Sequence, residues 1–95
     1  MQLNNLAINK LLPPLQEQII SFIKTDIHAG RSDLHIEPEE DLLSSGLLGS
    51  MDMVRVIEFV EQTFEIKVAP QDMTIDNFIT VEAMASYVKG QKQAN

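Results

Sequence analysis

One apolar stripe in the middle of the chain constrains the fold more than any other feature. At the three- and four-residue spacing of one helix face lie Met53, Val56, Ile57, Val60 and Phe64. This set is called the core stripe below. The helix that bears it begins at Ser50 and ends with an apolar turn. The spacing predicts an amphipathic helix whose core stripe faces the interior of a small domain.

Further helical patterns lie on both sides of this helix. The residues from Pro13-Pro14 to about Ala29-Gly30 predict a first amphipathic helix, with proline at its start and glycine at its end. Residues 74–79 suit a single capped turn, and Thr80 begins a last helix. No segment shows convincing strand alternation. The predicted fold is all-α: three main helices and one short helix around a long loop.

The stretch between the first two main helices, residues 31–49, has no helical period. A loop of this length is unusual in so small a domain and indicates a function unless its side chains anchor it. Four leucines stand near its end, and we expect them to enter the core: Leu42, Leu43, Leu47 and Leu48.

Composition excludes several classes of function. The 95 residues carry 14 acidic and 7 basic side chains, for a net charge of −7. Such a chain repels phosphate backbones, so nucleic acid is a poor partner and a basic protein surface a better one. The chain has no cysteine, and the pattern of a membrane span or signal peptide is missing. These features fit a cytoplasmic protein in a reducing compartment.

Ser50 stands at the junction between the long loop and the second helix. Taken alone, the sequence Ser50-x-Asp52 indicates a serine N-cap with an acidic residue in the first turn. A full capping box would place Glu or Gln at position 53, which is Met53. A helix N-terminus is also a favourable place for a phosphate ester, and Gly49 leaves the serine open to another protein. Both readings of Ser50 stand on these residues.

The face of the second helix that points away from the core stripe has a mixed character. It carries two apolar side chains beside the serine, followed by carboxylates: Met51, Val54, Glu58, Glu61 and Glu65. With Asp52, these residues form a candidate docking surface for partner proteins. A charged rim around an apolar patch gives fast, salt-sensitive and reversible association.

Four stretches together resemble a known family. They are Ile36-x-Pro38-Glu39-x-Asp41-Leu42, Gly46-Leu47-Leu48-Gly49-Ser50-Met51-Asp52, Phe64-Glu65-Ile66-Lys67-Val68 and Asp76-Asn77-Phe78-x-Thr80-Val81. From about Leu15 to Val88 the chain resembles the acyl carrier protein family. The resemblance implies a small four-helix bundle, and residues 13–89 are predicted to form this carrier domain. Composition predicts an N-terminal extension over 1–12 and a frayed polar tail over 90–95.

The resemblance implies that Ser50 is modified with 4'-phosphopantetheine from coenzyme A by a phosphopantetheinyl transferase. It also implies that the thiol of this arm carries acyl or aminoacyl thioesters between a loading ligase or transferase and downstream biosynthetic enzymes. The protein is expected to be a monomer and a carrier rather than an enzyme, since the transferase supplies the base and the metal ion.

Two positions depart from the carriers of fatty-acid synthesis that the chain resembles. Gly49 stands where those carriers usually have aspartate, and Arg55 stands where they commonly have an acidic residue. The Asp76-Asn77-Phe78 stretch is similar to freestanding carriers of specialised pathways, some of which receive amino acids from an adenylating ligase.

Two other functions compete with carriage. A small helical adaptor would bind a partner through the Met51, Val54 and Glu58 face, with Ser50 only a helix cap. A hydrolase using Ser50 is disfavoured because no base is evident nearby.

Other polar residues receive structural interpretations. His28 and His35 are interpreted as solvated loop residues rather than a metal pair. The stretch from Asp72 to Asn77 is interpreted as helix capping rather than a calcium loop. Phe59 lies off the core stripe, and we expect it to pack under the loop or the short helix.

Overall fold

The computed structural model describes residues 15–31 and 33–94, with side chains up to Lys92. The predicted N-terminal extension, residues 1–12, lies outside the described residues.

Four α-helices form the described part of the chain, and no strand occurs within it. Their bounds are Leu15–Phe22 for α1, Ser50–Phe64 for α2, Ile75–Phe78 for α3 and Val81–Ala94 for α4. A π-helical turn, Ile23–Ile27, continues α1, and a 3₁₀ turn, Pro70–Asp72, precedes α3. The prediction of an all-α bundle with three main helices and one short helix is confirmed.

The core is formed by side chains from every helix and from the long loop. Three members of the core stripe, Val56, Val60 and Phe64, are buried, whereas Met53 and Ile57 are half-buried against the core. The other buried apolar residues are Ile19, Ile23, Ile36, Leu42, Leu48, Val68, Phe78, Val81, Met84, Ala85 and Val88. The stripe predicted from spacing is therefore the side of α2 that meets the interior.

The long loop is anchored to the core as expected. The side chains of Leu42 and Leu48 are buried, and those of Leu43 and Leu47 are half-buried. The Leu42 N–H donates to the Ile79 carbonyl at 2.9 Å, and the Leu48 N–H donates to the Leu42 carbonyl at 3.0 Å. Buried side chains and backbone bonds together fix a segment that lacks helical structure.

The first helix ends where its sequence predicted. The π-helical turn shifts the backbone bonding, so that the His28 N–H reaches the Ile23 carbonyl at 3.0 Å and the Gly30 N–H reaches the Lys24 carbonyl at 2.9 Å. Ala29 and Gly30 both have positive φ, of 55° and 82°. Glycine tolerates this left-handed conformation without steric cost, and so it suits the end of the helix.

The expectation for Phe59 was wrong. Its ring stacks on Phe22 of α1, with centroids 4.2 Å apart, and meets the ring of Phe64 edge-on at 6.2 Å. Phe59 lies beside the core stripe on the side that faces α1, which the helix projection alone did not assign. The aromatic pair of Phe22 and Phe59 joins α1 to α2.

The last helix extends beyond the predicted boundary at residue 90. It begins after Thr80, whose Oγ1 accepts the Ala83 N–H at 2.9 Å, and its backbone stays helical through Gly90 to Ala94. Gln, Lys and Ala have favourable helix propensities, which supports this extension. Over the described ranges, no helix has the length and hydropathy required to cross a membrane.

We expect Leu42→Ala to lower the free energy of unfolding by about 2–5 kcal/mol, because it opens a cavity in the core and loosens the loop. Leu42 has 0% exposure. Leu34→Ala is the matched control, since Leu34 is a half-buried leucine of the same loop. Urea denaturation measures both, and equal losses would show that Leu42 does not anchor the loop.

Candidate functional site at the start of α2

The cap of α2 is built one residue earlier than the sequence suggested. Gly49 is the N-cap, with φ −89° and ψ 178°, and its carbonyl accepts the Met53 N–H at 3.0 Å. Asp52 occupies the third helical position, and its Oδ2 accepts the Gly49 N–H at 2.9 Å. The prediction that Ser50 is the N-cap is therefore wrong. The reciprocal carboxylate of a capping box is Asp52, and Met53 has no part in it.

This shift leaves the Ser50 side chain without a capping role. Ser50 is the first residue of α2 and is exposed, and among the described residues no capping hydrogen bond involves its hydroxyl. The first-turn amide groups of a helix lack intrahelical carbonyl partners, and the helix dipole makes this end positive. An exposed hydroxyl thus stands at a helix end that favours negative charge.

Neither backbone conformation nor steric crowding requires a glycine at position 49. Its φ is one that any residue adopts, and an added Cβ would meet only Asp52 Oδ2, at 3.6 Å, which is ordinary van der Waals contact. A larger side chain fits at this position. Because glycine has no side chain, position 49 places neither bulk nor charge beside Ser50.

The loop immediately before the site is held by His28, at the end of the π-helical turn. His28 Nε2 donates to the Leu47 carbonyl at 2.6 Å, and the ring is half-buried. The interpretation of His28 as a solvated loop residue is therefore wrong, because its ring ties the end of α1 to the residues before Ser50. His35 is exposed and hydrogen-bonds Glu37.

The outer face of α2 is largely as predicted. The side chains of Met51 and Val54 are 76% and 48% exposed, which is unusual for large apolar residues. Glu58 and Glu65 are exposed. Glu61 differs, since it is half-buried and its Oε2 accepts the Val68 N–H at 2.9 Å. Glu61 thus stabilises the turn after α2.

Two exposed apolar residues that the sequence did not indicate lie on the neighbouring segment. Met73 and Ile75 are 51% and 60% exposed. Together with Ser50, Met53 and Phe78 they line a cavity of about 250 Å³ between α2 and α3. Four residues of helix are too few for periodicity to reveal an exposed apolar face. Their occurrence between acidic residues, at Asp72 and Asp76, was the available signal.

Arg55 lies on α2 among acidic residues, yet it binds none of them closely. Its Nη2 donates to the Asp26 carbonyl, at 3.3 Å, in the π-helical turn. The side chain is exposed, and neither ion pair of the described residues includes it. Arg55 therefore joins α2 to the end of α1 through a backbone carbonyl and leaves its charge on the surface.

The polar residues near Ser50 do not assemble a catalytic or metal-binding set. In residues 15–31 and 33–94, the hydrogen bonds include none from Ser50 Oγ to a histidine or a carboxylate. No group of three or more side chains of the metal-ligating types His, Cys, Asp or Glu could hold an ion in these ranges. The arrangement presents a nucleophile without activating it.

We expect Asp52→Ala to lower the free energy of unfolding by about 0.5–2 kcal/mol, because the Gly49 N–H loses its acceptor. Asp52→Asn keeps an oxygen acceptor and should lose less. Ser50→Ala should change stability by less than about 0.5 kcal/mol, since the hydroxyl caps nothing. Urea denaturation of the three variants measures these values. If Ser50→Ala lowered the free energy of unfolding as much as Asp52→Ala, Ser50 would be a capping residue after all.

Comparison with known proteins identifies the family of this domain. Residues 17–88 match the family model described as "Phosphopantetheine attachment site". The D-alanyl carrier protein of Lactococcus lactis subsp. lactis (strain IL1403) is 28% identical over 81 residues, which cover 85% of this chain and 100% of that protein.

Aminoacyl carrier protein 2 of Bradyrhizobium diazoefficiens is 28% identical over 89 residues, which cover 94% of this chain and 93% of that protein. A chain from a solved structure described as that of an FAD-dependent dehydrogenase superposes with a TM-score of 0.61 at 22% identity, over 74% of this chain and 97% of that chain. This last likeness shows the fold alone. The chain belongs to the phosphopantetheine-attachment family and is an acyl or aminoacyl carrier protein that bears 4'-phosphopantetheine covalently.

Proposed function

We propose that Ser50 is the attachment point of the phosphopantetheine arm. The observation that carries this proposal is the division of roles at the start of α2: Gly49 and Asp52 cap the helix, so the exposed Ser50 hydroxyl is available for a covalent bond. A serine engaged as a cap would have to give up a stabilising bond on modification.

The surroundings of Ser50 fit a phosphodiester. Its negative charge would lie at the N-terminal end of a 15-residue helix, where the dipole and the unpaired amide groups favour an anion. The Asp52 carboxylate, two residues further along α2, is half-buried, and its Oδ2 accepts the Gly49 N–H. The apolar cavity between α2 and α3 opens beside the same serine.

The chain's own part in the chemistry is presentation. The thiol of the arm supplies the thioester bond to the cargo, which explains how a chain with no cysteine can carry activated acyl groups. No base is hydrogen-bonded to the Ser50 hydroxyl in the part of the chain that the structure describes. In this proposal the transferase removes the hydroxyl proton, and the protein acts as a carrier rather than an enzyme.

The cargo that we propose is an aminoacyl group. Two similar carriers are described as a D-alanyl carrier protein and an aminoacyl carrier protein, each similar to this chain along nearly its whole length. An adenylating ligase that loads amino acids is the partner that such a cargo requires. This proposal follows from the relatives and agrees with the departures at Gly49 and Arg55.

Partner enzymes dock, in this proposal, on the surface around Ser50. Its apolar part, the docking patch, comprises Met51, Val54, Met73 and Ile75, all of them 48% exposed or more. Its rim is acidic, with exposed Glu58, Glu65 and Asp76. Of the residues predicted from sequence, Glu61 and Asp52 have structural bonds, so they contribute charge to this surface more than contacts.

The proposed partners are proteins whose docking surface has basic residues around an apolar recess. Charge complementarity raises the association rate, and the flexible Met51 and Met73 side chains adapt to different enzymes. A plain helical adaptor would use the same surface without any modification. The test of Ser50 separates the two functions, and monomeric behaviour is part of the carrier proposal.

We expect the wild-type protein to gain the mass of one phosphopantetheine when incubated with coenzyme A and a broad-specificity phosphopantetheinyl transferase. Ser50→Ala should abolish the gain, because the attacking oxygen is gone. Ser44→Ala is the control, since Ser44 is an exposed serine of the preceding loop. Intact-mass spectrometry measures all three. A gain that survives Ser50→Ala would place the arm elsewhere, and no gain in the wild type would favour the adaptor.

We expect Glu58→Lys to slow association with the transferase about three- to tenfold at low salt, with little change at high salt. The reversal puts a positive charge on the rim of the docking patch. Glu17→Lys makes the same charge change on α1, at an exposed residue that lines a cavity on the Phe22 side of the fold. Stopped-flow kinetics compares them. Equal slowing would mean that net charge, rather than the docking surface, steers the partner.

A further inference from the structure

The segment from Pro70 to Ile79 is fastened to α4 by its first turn. Tyr87 of α4 donates its hydroxyl proton to Asp72 Oδ2 at 2.9 Å, in a half-buried setting. This bond joins two elements 15 residues apart in sequence. We call it the clasp.

Asp72 also organises the segment that follows it. Its carbonyl accepts both the Asn77 Nδ2–H group and the Thr74 N–H, each at 2.8 Å. The ring of Phe78, at the end of the segment, packs against the ring of Tyr87 with centroids 5.5 Å apart. Asp72 therefore connects the clasp to the whole turn from residue 72 to residue 78.

The attachment to α2 is of a different kind. Met73, Thr74, Ile75 and Phe78 form one wall of the cavity beside Ser50, and α2 forms the other. Within the described residues, no hydrogen bond crosses from residues 70–79 to α2. The Glu61 bond reaches Val68, before this segment begins. The position of the wall relative to Ser50 thus depends on its bond to α4, on the bond from the Leu42 N–H to the Ile79 carbonyl at its far end, and on packing.

We propose that Tyr87 and Asp72 are positioning residues of the carrier, whose clasp holds the segment 70–79 against α4 and thereby sets the opening of the cavity beside Ser50. The effect of the clasp on the cargo rests on the proposed attachment at Ser50. With the clasp closed, the wall keeps a fixed distance from α2 and shelters what lies next to the serine. With the clasp released, the segment moves away from α2 and water gains access.

The chemistry of the pair supports a specific bond rather than a chance contact. Burial raises the pKa of Tyr87 above its ordinary value of 10.0, and the hydrogen bond to Asp72 raises the pKa further. The phenol therefore keeps its proton and remains a donor over the physiological range. Tyr87 is the only tyrosine, and the chain has no tryptophan, so tyrosine absorbance and fluorescence report on the surroundings of this one side chain.

The first test is hydrogen–deuterium exchange on the unmodified protein, which does not depend on what happens at Ser50. We expect Tyr87→Phe to speed exchange about three- to tenfold in the peptide that covers residues 70–79. The amide groups of Thr74, Asn77 and Ile79, which are bonded within the segment, should report the change. Ser86→Ala, at an exposed neighbour on α4, is the control.

Substitutions at Asp72 identify the bond itself. Asp72→Asn keeps an oxygen acceptor for the Tyr87 hydroxyl and should exchange close to the wild type, whereas Asp72→Ala should match Tyr87→Phe. The double variant should exchange no faster than either single one, because both remove the same interaction. Unchanged exchange in Tyr87→Phe, or equal increases in α1 and α2, would overturn the proposal.

The second test reads the consequence at the cargo. An acyl group is installed together with its arm from an acyl-coenzyme A by the transferase, and loss of the acyl mass to water is followed. Tyr87→Phe should speed this hydrolysis about threefold or more, in step with local exchange. Unchanged hydrolysis beside faster local exchange would overturn the role at the cavity. Failure of the loading itself would count against Ser50 and leave the exchange result standing.

Discussion

The burial of Leu42 is the constraint on which the rest of this structure depends. Its side chain is fully buried, its N–H bonds the carbonyl of Ile79, and its carbonyl accepts the N–H of Leu48. One residue therefore joins the middle of the long loop to the end of α3 and to the approach to Ser50. A loop without helical bonding must find other hydrogen-bond partners for its backbone N–H and C=O groups. The bonds of Leu42 supply such partners, and they fix the loop that leads to Ser50.

The site is characterised by the interactions that the Ser50 hydroxyl does not make. Ser50 is exposed, and no base or cap partner among residues 15–31 and 33–94 is hydrogen-bonded to its hydroxyl, since Gly49 and Asp52 close the helix end. Under the proposed function, the hydroxyl reacts only when a transferase supplies the base, so attachment of the arm is confined to the docked complex. The thiol that forms the thioester then comes with the arm, since the chain has no cysteine.

Much of the fold could be predicted because helix spacing reports which side chains share a face. The core stripe, the buried leucines and the end of α1 follow from periodicity, apolar burial and glycine conformation. The location of the cap could not be predicted, because Gly49 and Ser50 are both acceptable N-caps and only the backbone decides. The roles of His28, Glu61 and Tyr87 could not be predicted from the sequence either. Each bonds a partner 19, 7 or 15 residues away in sequence, and local pattern carries no record of such pairs.

The two halves of the docking patch differ in how firmly they are held. Met51 and Val54 lie on a 15-residue helix whose inner face is buried. Met73 and Ile75 lie on a short segment held by one buried ring, that of Phe78, and by hydrogen bonds to its own backbone, to α4 and to the long loop. Local opening costs least where buried apolar contacts are few. We expect a partner docked on Met73 and Ile75 to move this wall of the cavity more readily than the cap at Gly49 and Asp52. Under the proposed function, recognition of the partner and access to the cargo are then coupled through one surface.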